Sequence, residues 1–149
     1  MDTDRAPIDP DGRYPADGLR VVEQHAARIK ELLPRAEMER TRDVFQFCDG
    51  GDEEAIVLVV SREALEIRHP RTEWTRGAYG PAASSCLWRR RKWASLKSAE
   101  LPELIASARR ARKRQFRRCR FCGGRFPPEH RIEDDVCHGC ASSHLGVTF

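Results

Sequence analysis

An α+β protein is expected from three features of this 149-residue chain: an amphipathic stripe near its N-terminus, a set of short β-branched or alternating runs behind it, and two CxxC pairs near its C-terminus. Together they describe one helix packed on a small antiparallel meander, followed by a basic helix and a four-cysteine module. The chain divides accordingly into a tail (1–16), an α+β domain (17–70), a Trp/Arg-rich connecting segment (71–98), and the basic helix with its metal-binding module (99–149).

Met1 to Ala16 is rich in Pro, Asp and Gly and has no apolar periodicity, so a disordered or loosely draped tail is expected. Asp17 can cap a helix in which Leu19, Val22, Ala26, Ile29 and Leu33 recur at spacings of three and four, with Pro34 as the stop. Val44 to Cys48 then reads as a short strand, and Asp49-Gly50-Gly51-Asp52 as a turn. Glu54 to Ser61 (EAIVLVVS) is apolar enough for a central strand, and Ala64 to His69 alternates Leu65 and Ile67 against Glu66 and Arg68. A three-stranded meander under one helix results. It carries no phosphate loop, nucleophile elbow or catalytic carboxylate pair.

Pro70 to Ser98 holds Trp74, Trp88, Trp93 and the run Arg89-Arg90-Arg91-Lys92. Ser84 or Ser85 could cap a short helix reaching Leu96. From Leu101 to Arg118 a stronger helix is expected, with Pro102 tolerated in its first turn. Leu101, Leu104, Ile105, Ala108, Ala111 and Gln115 make its apolar side; Arg109, Arg110, Lys113, Arg114, Arg117 and Arg118 crowd the other.

Net charge is only +4, but it is split. Residues 1–70 carry 10 basic and 16 acidic side chains, a net of −6, whereas residues 71–149 carry 17 and 7, a net of +10. Trp88 to Arg118 alone holds 12 basic and 2 acidic groups. Such a split points to a polyanionic partner for the basic half, or to a basic half that neutralises the acidic one. The longest apolar run, Ala55 to Val60, is far shorter than the roughly 20 residues that span a bilayer. The acidic N-terminus has no secretory pattern, so a cytoplasmic protein without membrane contact is expected.

Cys119, Cys122, Cys137 and Cys140 form two CxxC pairs separated by fourteen residues. Two thiolates three positions apart can face one tetrahedral ion across a tight turn, and two such pairs complete the closed four-sulfur shell that structural zinc accepts. An iron–sulfur cluster would use the same thiolates. A thioredoxin-type redox pair needs a βαβ setting, which is absent. Gly123 suits the backbone turn of a knuckle, while Arg118, Arg120 and Arg125 lie close enough in sequence to offset the charge of the site. His130, His138 and His144 are candidate substitutes for one cysteine. Cys48 and Cys86 stand apart and are expected to be buried small hydrophobes.

CRFCGGRF followed by CHGCASSHLG resembles a small treble-clef or zinc-ribbon finger over about thirty residues. The resemblance implies a knuckle, a hairpin, and Cys137 and Cys140 in the first turn of a helix ending near Gly146. It does not carry a function, because such fingers serve many.

A non-enzymatic zinc-binding protein that contacts DNA, RNA or a ribonucleoprotein through its basic helix and the Arg89–Lys92 run is the leading expectation. Trp88 and Trp93 could stack on bases, although core packing suits them better. The second reading is an adaptor that meets a protein partner. The third is an HNH-like nuclease using His130 and His144; the spacer between the cysteine pairs is short for one, and the chain contains no Asn.

Overall fold

A computed structural model describes residues 16–74 and 81–146, so most of the expected N-terminal tail lies outside the described residues. Helix α1 (Ala16–Leu32) buries Val22, Ala26 and Ile29, and Leu33 beyond it, along one stripe. Leu33 N–H donates to Ile29 O (2.9 Å), closing the last turn before Pro34. Asp17, expected as the cap, falls inside the helix.

Five strands rather than three follow, paired antiparallel in chain order: β1 (Glu37–Arg40), β2 (Phe45–Asp49), β3 (Ile56–Val60), β4 (Ala64–Trp74) and β5 (Pro81–Lys92). The added members are the two edges. Every residue of β1 is exposed, so it has no apolar alternation to read and exists through its ladder to β2, from Glu37 opposite Cys48 to Arg40 opposite Phe45. The short helix expected from Ser84 or Ser85 is instead β5, which pairs with β4 along almost its whole length. The register shifts between Ile67 and Arg68, where Trp88 is the extra residue on β5.

One face of the sheet is dry. Phe45, Phe47, Ile56, Leu58, Val60, Leu65 and Ile67 meet the stripe of α1 and the apolar side of α2 (Leu101–Gln115), where Leu101, Leu104, Ile105 and Ala108 are buried. Trp88 and Trp93 are half-buried against this core. Trp93 donates from Nε1 to Ser61 O (2.8 Å) and stacks on His25 with ring centroids 3.9 Å apart. The opposite face carries Gln46, Cys48, Val59, Glu66 and Arg68 around an open cavity of about 510 Å³. Cys48 projects there and Cys86 lies on the edge strand; both are exposed, which corrects the expectation that they are buried.

The basic helix also stops earlier than expected. It ends at Gln115, and Phe116 leaves it extended (φ −78°, ψ 134°), so Arg117 and Arg118 belong to a strand. Arg112, not Ala111, completes the buried side.

Candidate metal centre

Past α2 the chain makes two small hairpins and a helix. Strands β6 (Arg117–Arg118) and β7 (Arg125–Phe126) pair antiparallel, and the loop between them carries Cys119 and Cys122. That loop is held by Cys119 N–H to Gly124 O (2.7 Å) and Gly123 N–H to Cys119 O (2.9 Å). Gly123 sits at φ +75°, the left-handed region that glycine adopts without steric cost. A Cβ on Gly124 would lie 2.9 Å from the Phe126 ring, so a larger residue there would have to displace that ring.

The second hairpin pairs β8 (Arg131–Glu133) with β9 (Val136–Cys137) and feeds directly into α3 (His138–Leu145). Cys137 is the N-cap, its Sγ accepting from Cys140 N–H at 3.4 Å, and Gly146 at φ +69° ends the helix. Of the two cysteines expected in the first turn of this helix, Cys140 lies there and Cys137 stands just before it, while the helix stops at Gly146 as expected.

These elements bring all four sulfurs within 4.8 Å of one another, with Cys122 and Cys137 Sγ 3.9 Å apart. Cys119 and Cys137 are buried, Cys140 is half-buried and Cys122 is exposed. The amide of Cys137 holds the Cys119 thiol down to about 6, against the opposing effect of burial. Burial and the three neighbouring sulfurs push the Cys140 thiol up to about 12. Of these two thiols, Cys119 is the more readily ionised. Four soft donors in this arrangement fit a metal ion.

None of the candidate histidines joins the four-sulfur cluster. His130 closes a turn after Pro127-Pro128, its N–H donating to Pro127 O (3.0 Å), and its Nε2 lies 3.3 Å from Thr72 Oγ1. His144 stacks on Phe121 with centroids 4.4 Å apart. Of the arginines expected to offset the thiolates, Arg118 donates to Gly123 O in the knuckle (3.1 Å), Arg120 reaches towards Asp135 (3.9 Å), and Arg125 pairs with Glu53 (2.6 Å).

The other expected basic contacts divide into tied and untied groups. Arg109 pairs with Asp49 and donates to Glu54 O (3.0 Å), clamping α2 to the β2–β3 turn. Arg91 reaches Ser95 O (3.1 Å) and Glu100 (3.4 Å), Arg110 pairs with Glu103 (2.6 Å), and Arg89 lies over the Trp88 ring (4.4 Å). Arg90, Lys92, Lys113, Arg114 and Arg117 are exposed, and no side-chain hydrogen bond or ion pair ties them among the described residues.

Sequence reasoning missed the joint between the metal centre and the sheet. Arg112 donates to Glu129 (2.6 Å) and Gln115 (2.8 Å), with both members of the ion pair nearly water-free. Arg131 donates to Gln115 O (2.9 Å), and Gln115 Nε2 lies 3.2 Å from His69 Nδ1. His69 Nε2 faces the Ala108 carbonyl at 2.9 Å; since that oxygen only accepts, Nε2 carries the proton and Nδ1 accepts from the Gln115 amide. The signal was available: Arg112 lies four residues after Ala108, on the apolar stripe.

The chain matches no protein-family model, no curated protein and no solved structure.

Proposed function

We propose that this chain is a non-catalytic, cytoplasmic zinc protein in which a closed four-cysteine site anchors a phosphate-binding surface for nucleic acid. The metal assignment is supported by the donor set and its spread: a tetrahedron with Zn–S bonds of about 2.3 Å has edges of about 3.8 Å, and Cys122 and Cys137 are 3.9 Å apart. With four protein sulfurs the ion keeps no open position for a substrate, so its role is to hold the knuckle and α3 together. Among the described residues no helix is long and apolar enough to cross a membrane.

The observation that carries the nucleic-acid reading is the exposed trio Lys113, Arg114 and Arg117, left without side-chain partners where α2 runs into the metal centre. Long cationic side chains that no carboxylate neutralises suit the phosphates of DNA, RNA or a ribonucleoprotein. The test is a salt titration of the zinc-loaded protein against single- and double-stranded DNA and RNA. Binding should fall steeply with salt, and replacing Lys113, Arg114 and Arg117 by Gln should lower the slope of log K against log salt by about 2–3. An unaltered slope in a folded variant, or no binding at low salt, removes this reading.

A protein adaptor is the second reading, and the outer face of the sheet, uncovered among the described residues, favours it, with Val59, Cys48, Glu66 and Arg68 around its cavity. A pull-down lost on Val59→Lys and kept in the Gln triple variant would support that alternative.

A further inference from the structure

Building on the nucleic-acid reading above, we infer that the cleft at the end of α2 receives an unpaired base of a single-stranded nucleic acid, stacked against Phe116 between Arg110, Lys113, Arg114 and Arg125. The helix breaks at Gln115 and Phe116 departs extended, its N–H returning to Lys113 O (3.1 Å). That break puts a half-buried ring beside the basic last turn of α2, where it lines an open cleft of about 340 Å³ with those four cations. Arg112 sits 5.0 Å from the ring centroid, and Arg112 is itself fixed by Glu129 and Gln115. The ring is thus backed by an immobile cation and is pre-positioned as a platform.

The walls are of two kinds. Arg110 is tethered by Glu103 and Ser107, and Arg125 by Glu53 and the Phe116 carbonyl. Lys113 and Arg114 are exposed and untied. The wall of the cleft is mostly carbon, supplied by the Phe116 ring and by residues that carry four cations, so it suits a flat apolar face joined to an anion. A nucleotide uses both: its flat base covers Phe116 while the adjoining phosphates reach Lys113 and Arg114. Within a duplex each base face is already covered by its neighbours, so only a single strand can present one.

The experiment measures binding of the zinc-loaded full chain, by fluorescence anisotropy, to an oligo-dT strand, to the same strand made abasic, and to a duplex of equal length. The intact single strand should bind about tenfold more tightly than the abasic strand or the duplex. Phe116→Leu should weaken binding of the intact strand about tenfold without changing its salt slope, and Phe116→Tyr should restore it. Equal affinity for the intact and abasic strands overturns the stacking inference and leaves the phosphate reading standing; that comparison needs no variant to fold. Absence of binding to all three at low salt removes both. Preference for a phosphorylated peptide over every oligonucleotide would also overturn the inference and name a protein partner instead.

Discussion

Arg112 is the residue whose role is least like its sequence appearance. It lies within a run of basic side chains, yet its guanidinium is buried against Glu129 and the Phe116 ring. Taking one partner from a buried pair leaves the other charged and dry, which costs about 3–5 kcal/mol. Glu129→Gln should therefore lower the urea midpoint strongly, whereas the double change Arg112→Met with Glu129→Leu should recover most of the loss. If the single variant unfolds at the wild-type midpoint, the pair contributes nothing and the joint lies elsewhere.

His69 supplies a second test at this scale. Burial holds its imidazole below the ordinary 6.5; the Ala108 carbonyl opposes that shift, Arg112 and Arg71 reinforce it, and Glu129 opposes it. A histidine with a lowered folded pKa takes up its proton more readily unfolded, so its contribution is present above about 6.5 and is lost as pH falls below it. The urea midpoint should drop between about pH 7.5 and 5.5, and His69→Gln should flatten part of that drop. His25, also lowered chiefly by burial, supplies a remainder that His69→Gln leaves in place. The four cysteines were legible as a cluster because metal chemistry dictates the spacing that brings such sulfurs together. Arg112 was marked only by its phase, four residues after Ala108 on the apolar stripe, while its residue type argues for a wet face.

Among the elements, the cysteine knuckle is the most demanding of its sequence. Gly123 at φ +75° has open space around its Cβ position, so substitution there meets a conformational cost and no clash. Gly123→Ala should cost about 1–2 kcal/mol. Competition with a chromophoric chelator would register this as a roughly 5- to 30-fold loss of zinc affinity. Wild-type affinity in that variant would mean that the turn can be made another way. The same scale explains what was read and what was missed in the sheet. Strands β2 and β4 bury one face and so carry a period-two pattern, and β3 is a continuous apolar run buried along nearly its whole length; β1 and β5 are edges, and β1 has no buried face at all. Trp88 and the Arg89–Lys92 run disguised β5 further, since the bulge opposite Ile67 and Arg68 shifts its alternation midway.

For the whole molecule, the distribution of buried apolar groups sets how metal loss should propagate. The sheet, α1 and α2 share one core, from Val22 and Ile29 through Phe47 and Leu58 to Leu104 and Ala108. Among the described residues around the cysteines, Pro127, Val136 and Ala141 are the apolar groups buried beside Cys119 and Cys137, too little to hold two hairpins and a short helix without an ion. Chelation should expose amides from Arg117 to Leu145 to hydrogen exchange while the sheet keeps a cooperative, somewhat weakened transition. The weakening comes from polar ties that end on the module, Arg112 to Glu129 and Arg125 to Glu53. Full protection of Val136 and Ala141 amides after chelation would show that the module does not depend on metal.

From its sequence alone this chain was recognisable as an α+β protein with a stripe-bearing first helix, three central strands and a four-cysteine metal site. Those features are local: helical and strand periods, turn glycines and ligand spacing are written within a few residues of one another. Tertiary structure alone decided the two edge strands, the end of α2 at Gln115, which cations are tied to carboxylates, and the dry joint of His69, Gln115, Arg112 and Glu129. Several of those depend on a partner far away in the chain, such as Ala108 for His69 or Glu53 for Arg125, that only folding brings near.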